Sequence, residues 1–271
     1  MSAGDAGSVL LCDKPAGKTS HDLTLATRRG LGVRKAGHAG TLDPFATGLL
    51  LVLVGRARRA QRFLMALPKT YEAVARLGAV STTGDPEGEI TVTGVLPPEP
   101  FVLPTGLVRQ RPPIYSAVRV QGKRAYERAR LGEDVEVPER DVTVYRFEQR
   151  WREGDRAAFS IDCSSGTYVR SLIADLGDAY CEELRRTRVG PFDVADADPT
   201  RVLPLERALS FLPRVTLDAE AGRRASHGQT IAGEAPEGAD GEVLLVDADG
   251  PVAIAEPRDG ALLKPIVGFR A

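Results

Sequence analysis

The sequence predicts a mixed α and β chain, with one large unit of interleaved strands and helices followed by a small β-rich module. Three observations carry that reading. Residues 69–77 alternate, with Tyr71, Ala73, Ala75 and Leu77 on one side, the period-two pattern of a strand with one buried face. Val169, Leu172, Ile173, Leu176 and Tyr180 instead recur at helical spacing. From about residue 215 the pattern shifts to glycine turns, acidic turns and short apolar runs such as Val243–Val246 and Val252–Ala255. At 271 residues, 42% of them hydrophobic, the chain can bury the core of a large domain and carry a small one beside it.

Taken in order, Val9–Cys12 reads as a buried strand closed by the turn Asp13–Gly17. Ser20 then caps a helix that ends near Gly30. The tail Gly17-Lys18-Thr19 is no phosphate-binding loop, because Cys12 stands where that motif needs its first glycine. Leu49–Gly55 is a continuous apolar run and reads as a buried strand. Arg56–Leu67 puts Ala57, Ala60, Gln61, Leu64 and Leu67 on one helical face, and Pro68 stops it. After the strand at 69–77, Ser81–Pro100 reads as a loop and a strand with an acidic edge. Val118–Val120 is a short strand, Gln121-Gly122 a turn, and Lys123–Leu131 a short basic helix. Ala157–Cys163 is a further strand, leading through Ser164-Ser165-Gly166 into the helix that begins around Thr167. A proline-punctuated helical linker occupies residues 197–214.

The formal net charge of −1 conceals a strong asymmetry. Residues 1–80 carry twelve basic and five acidic side chains, residues 109–130 seven and one, and residues 194–271 eight and thirteen. A polyanion senses the local basic face rather than the sum, so the N-terminal two-thirds suits a phosphate backbone. No apolar run approaches a membrane span and residues 1–7 lack the regions of a signal peptide, so a cytoplasmic protein is expected. Cys12, Cys163 and Cys181 are odd in number and lack metal-ligand spacing; they are expected to be reduced, two in the core and one on a helix. With His21, His38 and His227 dispersed, no metal or organic cofactor is implied.

The most informative stretch is Gly37-His38-Ala39-Gly40-Thr41-Leu42-Asp43-Pro44-Phe45-Ala46-Thr47-Gly48. Three glycines and a proline exclude regular helix or sheet, so this is a shaped loop leading into a rigid strand. Asp-Pro is a common turn former, but this loop is far longer than a hairpin needs and also carries a histidine and two threonines. Arg170 is the other conspicuous residue. A cation in the first turn of a helix opposes the macrodipole, a cost that an anionic partner would offset.

That loop resembles the signature of the TruB family of tRNA pseudouridine synthases, and the rest of the chain follows. The resemblance implies that Asp43 is the catalytic nucleophile. Asp13-Lys14-Pro15 is similar to an element in which the lysine supports the loop, and Lys69-Thr70-Tyr71 to one whose tyrosine stacks on the target base. Cys163-Ser164-Ser165-Gly166-Thr167-Tyr168-Val169-Arg170 resembles a third motif, in which the arginine pairs with the aspartate and the tyrosine packs beside it. Leu184–Phe192 resembles a fourth, which places Leu184 at the substrate, and His38 is implied to fill the space a flipped nucleotide leaves or to stack on a neighbour. Arg185-Arg186 and Trp151 have no claim beyond surface charge and packing. These residue types suit the reaction. The C1′–N1 bond of uridine must break, the uracil must turn without escaping, and a C1′–C5 bond must form. An ionised carboxylate can act as nucleophile, an arginine keeps it ionised and aims it, and tyrosines hold the extruded base. Attack on the base and attack on the sugar both fit.

The resemblance implies an α+β fold. A catalytic domain over residues 1–213 is built on a mixed, mainly antiparallel sheet, with an RNA-gripping insertion at about 109–140. A PUA-like RNA-binding β-barrel over 214–271 follows, supported by His227-Gly228-Gln229-Thr230-Ile231 and Leu263-Lys264-Pro265. The implied activity is pseudouridine formation at position 55 in the T-arm loop of tRNA by a monomer with no protein partner. The alternatives are a non-catalytic tRNA-binding or tRNA-folding protein that keeps the cleft, and a catalytic relative working on guided sites inside a larger particle.

Overall fold

The computed structural model describes residues 7–113, 119–120, 123–124, 137–239 and 241–270. Its strands in chain order are β1 (Ser8–Lys14), β2 (Ala36–His38), β3 (Thr47–Val54), β4 (Lys69–Leu77), β5 (Ala79–Ser81), β6 (Ile90–Val92), β7 (Gly106–Gln110), β8 (Arg119–Val120), β9 (Lys123–Arg124), β10 (Arg140–Glu153), β11 (Arg156–Cys163), β12 (Ala179–Val189), β13 (Phe192–Asp193) and β14 (Val202–Pro204). Five more, β15 (Arg214–Thr216), β16 (Ile231–Ala232), β17 (Val243–Asp247), β18 (Gly250–Arg258) and β19 (Leu262–Gly268), follow the linker. The helices are α1 (Ser20–Gly30), α2 (Gln61–Ala66), α3 (Val169–Ala174), α4 (Leu205–Ala208) and α5 (Ala219–Ser226).

The large sheet runs β14-β1-β3-β12-β4-β11-β10-β7, with β2 beside β3 and β13 beside β12. All of these pairings are antiparallel except β3 with β12, a short parallel contact of Arg185 with Thr47 and Arg186 with Gly48. This mixed, mainly antiparallel sheet is the expected one. β3 is apolar along its length because both its faces are covered. Leu49, Leu51 and Leu53 join a core with Val9 and Leu64, while Leu50, Val52 and Val54 join another with Leu10 and Cys12. β4 alternates as expected, sending Tyr71, Ala73, Ala75 and Leu77 into a third cluster with Phe159, Ile161, Leu172 and Leu184. From residue 214 a separate five-stranded sheet, β15-β17-β18-β19-β16, packs Leu244, Val246, Ile254 and Phe269 into the core beneath β1 and β3.

Several local expectations change, beginning with the glycine-rich stretch, whose ends Gly37-His38 and Thr47-Gly48 belong to β2 and β3. Thr19, not Ser20, caps α1, in a reciprocal pairing with Asp22 that frees Ser20 for another use. The segment 56–67 is a 3-10 turn over Gly55–Ala60 followed by the short α2. The helix expected to reach Tyr180 ends at Ala174, and the chain turns at Gly177 and becomes β12. Helical spacing is only a local preference, and β12 satisfies its backbone against β4 from Ala179 to Val189. Cys181 therefore lies on a strand, and all three cysteines are buried. Of the expected basic helix 123–131, Lys123 and Arg124 form a strand pair with Arg119 and Val120, and the remainder lies outside the described residues.

Candidate active site

The loop bearing Asp43 is held from several sides. Ala39 donates its amide to the Leu51 carbonyl (2.9 Å), Ala46 to Asp43 (3.2 Å) and Gly17 to Pro44 (2.8 Å). The buried Ser20 hydroxyl donates to the Leu42 carbonyl (3.0 Å) and accepts the Leu42 amide (2.8 Å). Lys14 is fully buried, and its ammonium donates to the carbonyls of Pro15 (2.9 Å), Lys18 (2.6 Å) and Pro44 (3.1 Å). Two side chains from the first twenty residues thus grip the residues on either side of Asp43.

Arg170 arrives from the start of α3, one residue after the helix opens; Tyr168 is the cap and Thr167 precedes it, so neither sits in the first turn. Its Nε lies 3.0 Å from Asp43 Oδ2, and its Nη1 donates to Asp85 Oδ2 and to the Thr83 carbonyl, both at 2.7 Å. Asp85 is held in turn by the Thr83 hydroxyl (2.5 Å) and the Glu87 amide (3.0 Å). One buried guanidinium is therefore shared by two carboxylates. Asp85 is closed off, with its side chain 4% exposed, while Asp43, at 32%, faces a cavity. Burial pushes the Asp43 carboxyl above its ordinary value; Arg170 opposes the rise most strongly, Asp85 adds to it, and Lys14 and Arg186 pull it back.

The cavity has a volume of about 340 Å3 and is lined by Asp43, Tyr71, Tyr168, Arg170 and Leu184, together with Lys69, Arg140 and Arg186. Tyr71 is buried on β4, and that burial raises its phenol pKa, so it is protonated at neutral pH. Tyr168 is pinned at both backbone atoms by the Gln110 amide (2.8 and 2.9 Å) and carries the Arg140 guanidinium 4.8 Å above its ring. Leu184 supplies the apolar wall, since β12 places it opposite Ala73. The arrangement sets a carboxylate paired with a cation beneath a slot with aromatic walls, a geometry that can support nucleophilic attack on a planar base or its sugar.

A model described as the TruB family pseudouridylate synthase N-terminal domain matches residues 28–169. The chain is 43% identical to tRNA pseudouridine synthase B of Thermobifida fusca (strain YX), covering 97% of this chain and 99% of that protein. It is 37% identical to tRNA pseudouridine synthase B of Geobacillus thermodenitrificans (strain NG80-2), with 97% and 99% covered. This chain belongs to the TruB family. It is an isomerase of the pseudouridine synthase type. The crystal structure of a Cbf5-Nop10-Gar1 complex contains a chain of the same fold, with a TM-score of 0.69 and 25% identity over 97% of this chain and 84% of that one.

Of the residues that the TruB resemblance singles out, Asp43, Tyr71, Tyr168, Arg170 and Leu184 meet at the cavity, and Lys14 lies behind the loop. His38 does not line it. It ends β2 opposite Val52, its carbonyl accepts from Gln61 Nε2 (2.8 Å), and burial lowers its imidazole pKa. Sequence reasoning missed Asp85, Ser20 and Arg186. Asp85 looked like one acid of a loop, and Ser20 like a helix cap. Arg186, read as surface charge, is 1% exposed. The available signal was its position two residues after Leu184, which on a strand returns the side chain to the same face.

Proposed function

We propose that the chain converts uridine to pseudouridine at position 55 in the T-arm loop of tRNA, with Asp43 as the nucleophile. The observation that carries this reading is the Asp43 carboxylate open to the cavity and backed by Arg170, itself anchored by Asp85. The target nucleotide is extruded into the cavity, where Tyr71, Tyr168 and Leu184 hold the ring while the C1′–N1 bond breaks. The base turns, C5 bonds to C1′ and loses its hydrogen, and N1 gains one. The cost of extrusion is a few kcal/mol, offset by stacking and phosphate contacts. The blocks 1–80 and 109–130 supply most phosphate contacts, buried Lys14 and Lys69 excepted, His38 contacts the RNA beside the emptied stack, and residues 214–271 act as a PUA-like RNA-binding domain that contributes shape more than charge. The enzyme works as a cytoplasmic monomer on tRNA. The similarity to relatives named tRNA pseudouridine synthase B supports this substrate.

The test is incubation with unmodified tRNA transcript and mapping of pseudouridine. Product at position 55 from the wild type, with none from Asp43→Asn and tRNA binding retained by the variant, is the expected result. Turnover by Asp43→Asn comparable to the wild type would remove the nucleophile, and modification elsewhere would remove the site.

A further inference from the structure

Arg186 is the largest fully buried side chain of the molecule among the described residues, and a guanidinium out of water is expensive unless every donor is used. Its acceptors are main-chain oxygens rather than carboxylates. Nε donates to Leu49 O at 2.8 Å, Nη2 to Gly40 O at 3.1 Å, and Nη1 reaches Thr41 O at the long distance of 3.5 Å. These carbonyls stand at the two ends of the segment that carries Asp43: Gly40 and Thr41 before it, Leu49 after it on β3. The arginine issues from β12, where it sits in register with Tyr71 of β4 on one side and Gly48 of β3 on the other. A planar fork is thereby fixed between three strands and closes the loop across its base. The same guanidinium lines the cavity beside Tyr71 and pulls the phenol pKa down against the rise that burial causes.

We propose that Arg186 is a positioning residue for the isomerisation, holding the Asp43 loop in its reactive shape and in register with Tyr71. This rests on the proposed Asp43 chemistry and deepens it. A surface arginine would sit on this strand without structural cost, whereas this one gives up hydration to bind three carbonyls, each through a different nitrogen of one planar fork. Lysine keeps the charge, but its three donors radiate from one nitrogen, which cannot reach carbonyls that the fork meets at three separate atoms.

The experiment compares wild type, Arg186→Lys and Arg186→Met in single-turnover assays on tRNA transcript, with tRNA affinity, circular dichroism and pH–rate profiles alongside. A displacement of about 1 Å in a reacting group costs on the order of a hundredfold in rate, and Arg186→Lys is expected to lose about that much while its tRNA affinity stays within about twofold. Its acid limb stays in place because the cation remains. Arg186→Met, which removes one of the charges that pull Asp43 down, moves the limb to higher pH. An Arg186→Lys rate within about threefold of wild type overturns the proposal, as does a parallel loss of rate and tRNA affinity, which marks a general structural role. If the variants do not fold, hydrogen exchange on the wild type decides: the hydrogen-bonded amides of Ala39, Leu42 and Ala46 are expected to be protected without RNA, and unprotected exchange there overturns the clip. Absence of pseudouridine in the wild-type reaction would instead refute the tRNA reading, independently of Arg186.

Discussion

At the scale of single residues, the site is a contest between burial and charge around one carboxylate. In the proposed mechanism Asp43 must be ionised to attack, yet burial favours its proton, and Arg170 is the main counterweight. Replacing Arg170 by methionine therefore raises the Asp43 pKa further, and the acid limb of the residual single-turnover rate is expected to move to higher pH. Asp85→Asn acts with the opposite sign, because Asp85 raises the Asp43 pKa; its acid limb is expected to move to lower pH, while opening a pair buried on both sides costs about 3 kcal/mol of stability. The two profiles, measured side by side, test the shared guanidinium; limbs that shift together would contradict it. Lys69 gives a cleaner stability signal. Burial lowers its ammonium pKa from 10.5 to about 8, although it still donates to the Met65 and Leu67 carbonyls. Between those values the unfolded chain binds the proton that the folded chain has lost, so the contribution of Lys69 to folded stability rises with pH across the window, while the buried thiols of Cys12, Cys163 and Cys181, raised from 9.0, oppose it at the alkaline end. Urea denaturation of wild type and Lys69→Met at both ends of the window isolates it: the stability of the wild type relative to the variant should rise with pH, and an unchanged difference would contradict the buried ammonium.

At the scale of elements, the parallel contact between β3 and β12 decides where the chemistry sits. It brings the end of the signature loop against Leu184–Arg186, and it does so at very close range. Gly48 has a φ of +101°, and a Cβ there would lie 2.2 Å from the Arg186 carbonyl oxygen and 2.8 Å from its nitrogen. Both obstacles are backbone of a central strand paired on its other edge to β4, so neither can retreat. Gly48→Ala is expected to destabilise the fold by at least about 2 kcal/mol, combining left-handed strain with the clash. Denaturant unfolding measures it, and a loss below about 0.5 kcal/mol would mean that β12 can move away from the loop. α3 works in the same economy of space. Six residues long, it buries Val169, Leu172 and Ile173 and turns Arg170 toward the cavity.

At the scale of the whole molecule, the two sheets share a core rather than touching at a hinge. Leu244, Val246, Ile254 and Phe269 pack with Val9, Leu51 and Leu53, and Arg56 and Arg59 donate to the carbonyls of Phe269 (2.9 Å) and Gly268 (2.7 Å). Ending the chain after residue 213 would expose that apolar surface beneath β1 and β3, the strands that support the Asp43 loop. Calorimetry is expected to show one cooperative transition for the full chain and a lower melting temperature, or aggregation, for the shortened one. Two well-separated transitions in the full chain would show instead that the sheets fold independently.

What the sequence determined by itself was whatever short-range physics controls. The continuous apolar run of β3, the alternation of β4, and the glycine-rich loop with its Asp-Pro pair all lie within a dozen residues of their own explanation. A long motif further carried the family and, with it, Asp43, Tyr71, Tyr168 and Arg170. What only the tertiary structure decided were the choices settled by distant partners. Leu176 and Tyr180 kept a helical spacing, but the open edge of β4 offered β12 a long antiparallel ladder, interrupted by two irregularities, from Ala179 to Val189. Asp85 read as an ordinary loop acid, because nothing near it in the chain marks a partner 85 residues away, and Arg186 read as surface charge because its spacing from Leu184 hints at a shared face but not at the carbonyls of Gly40 and Leu49. Burial is a property of the assembled core, and in this chain it separates the charges that solubilise from those that hold the site.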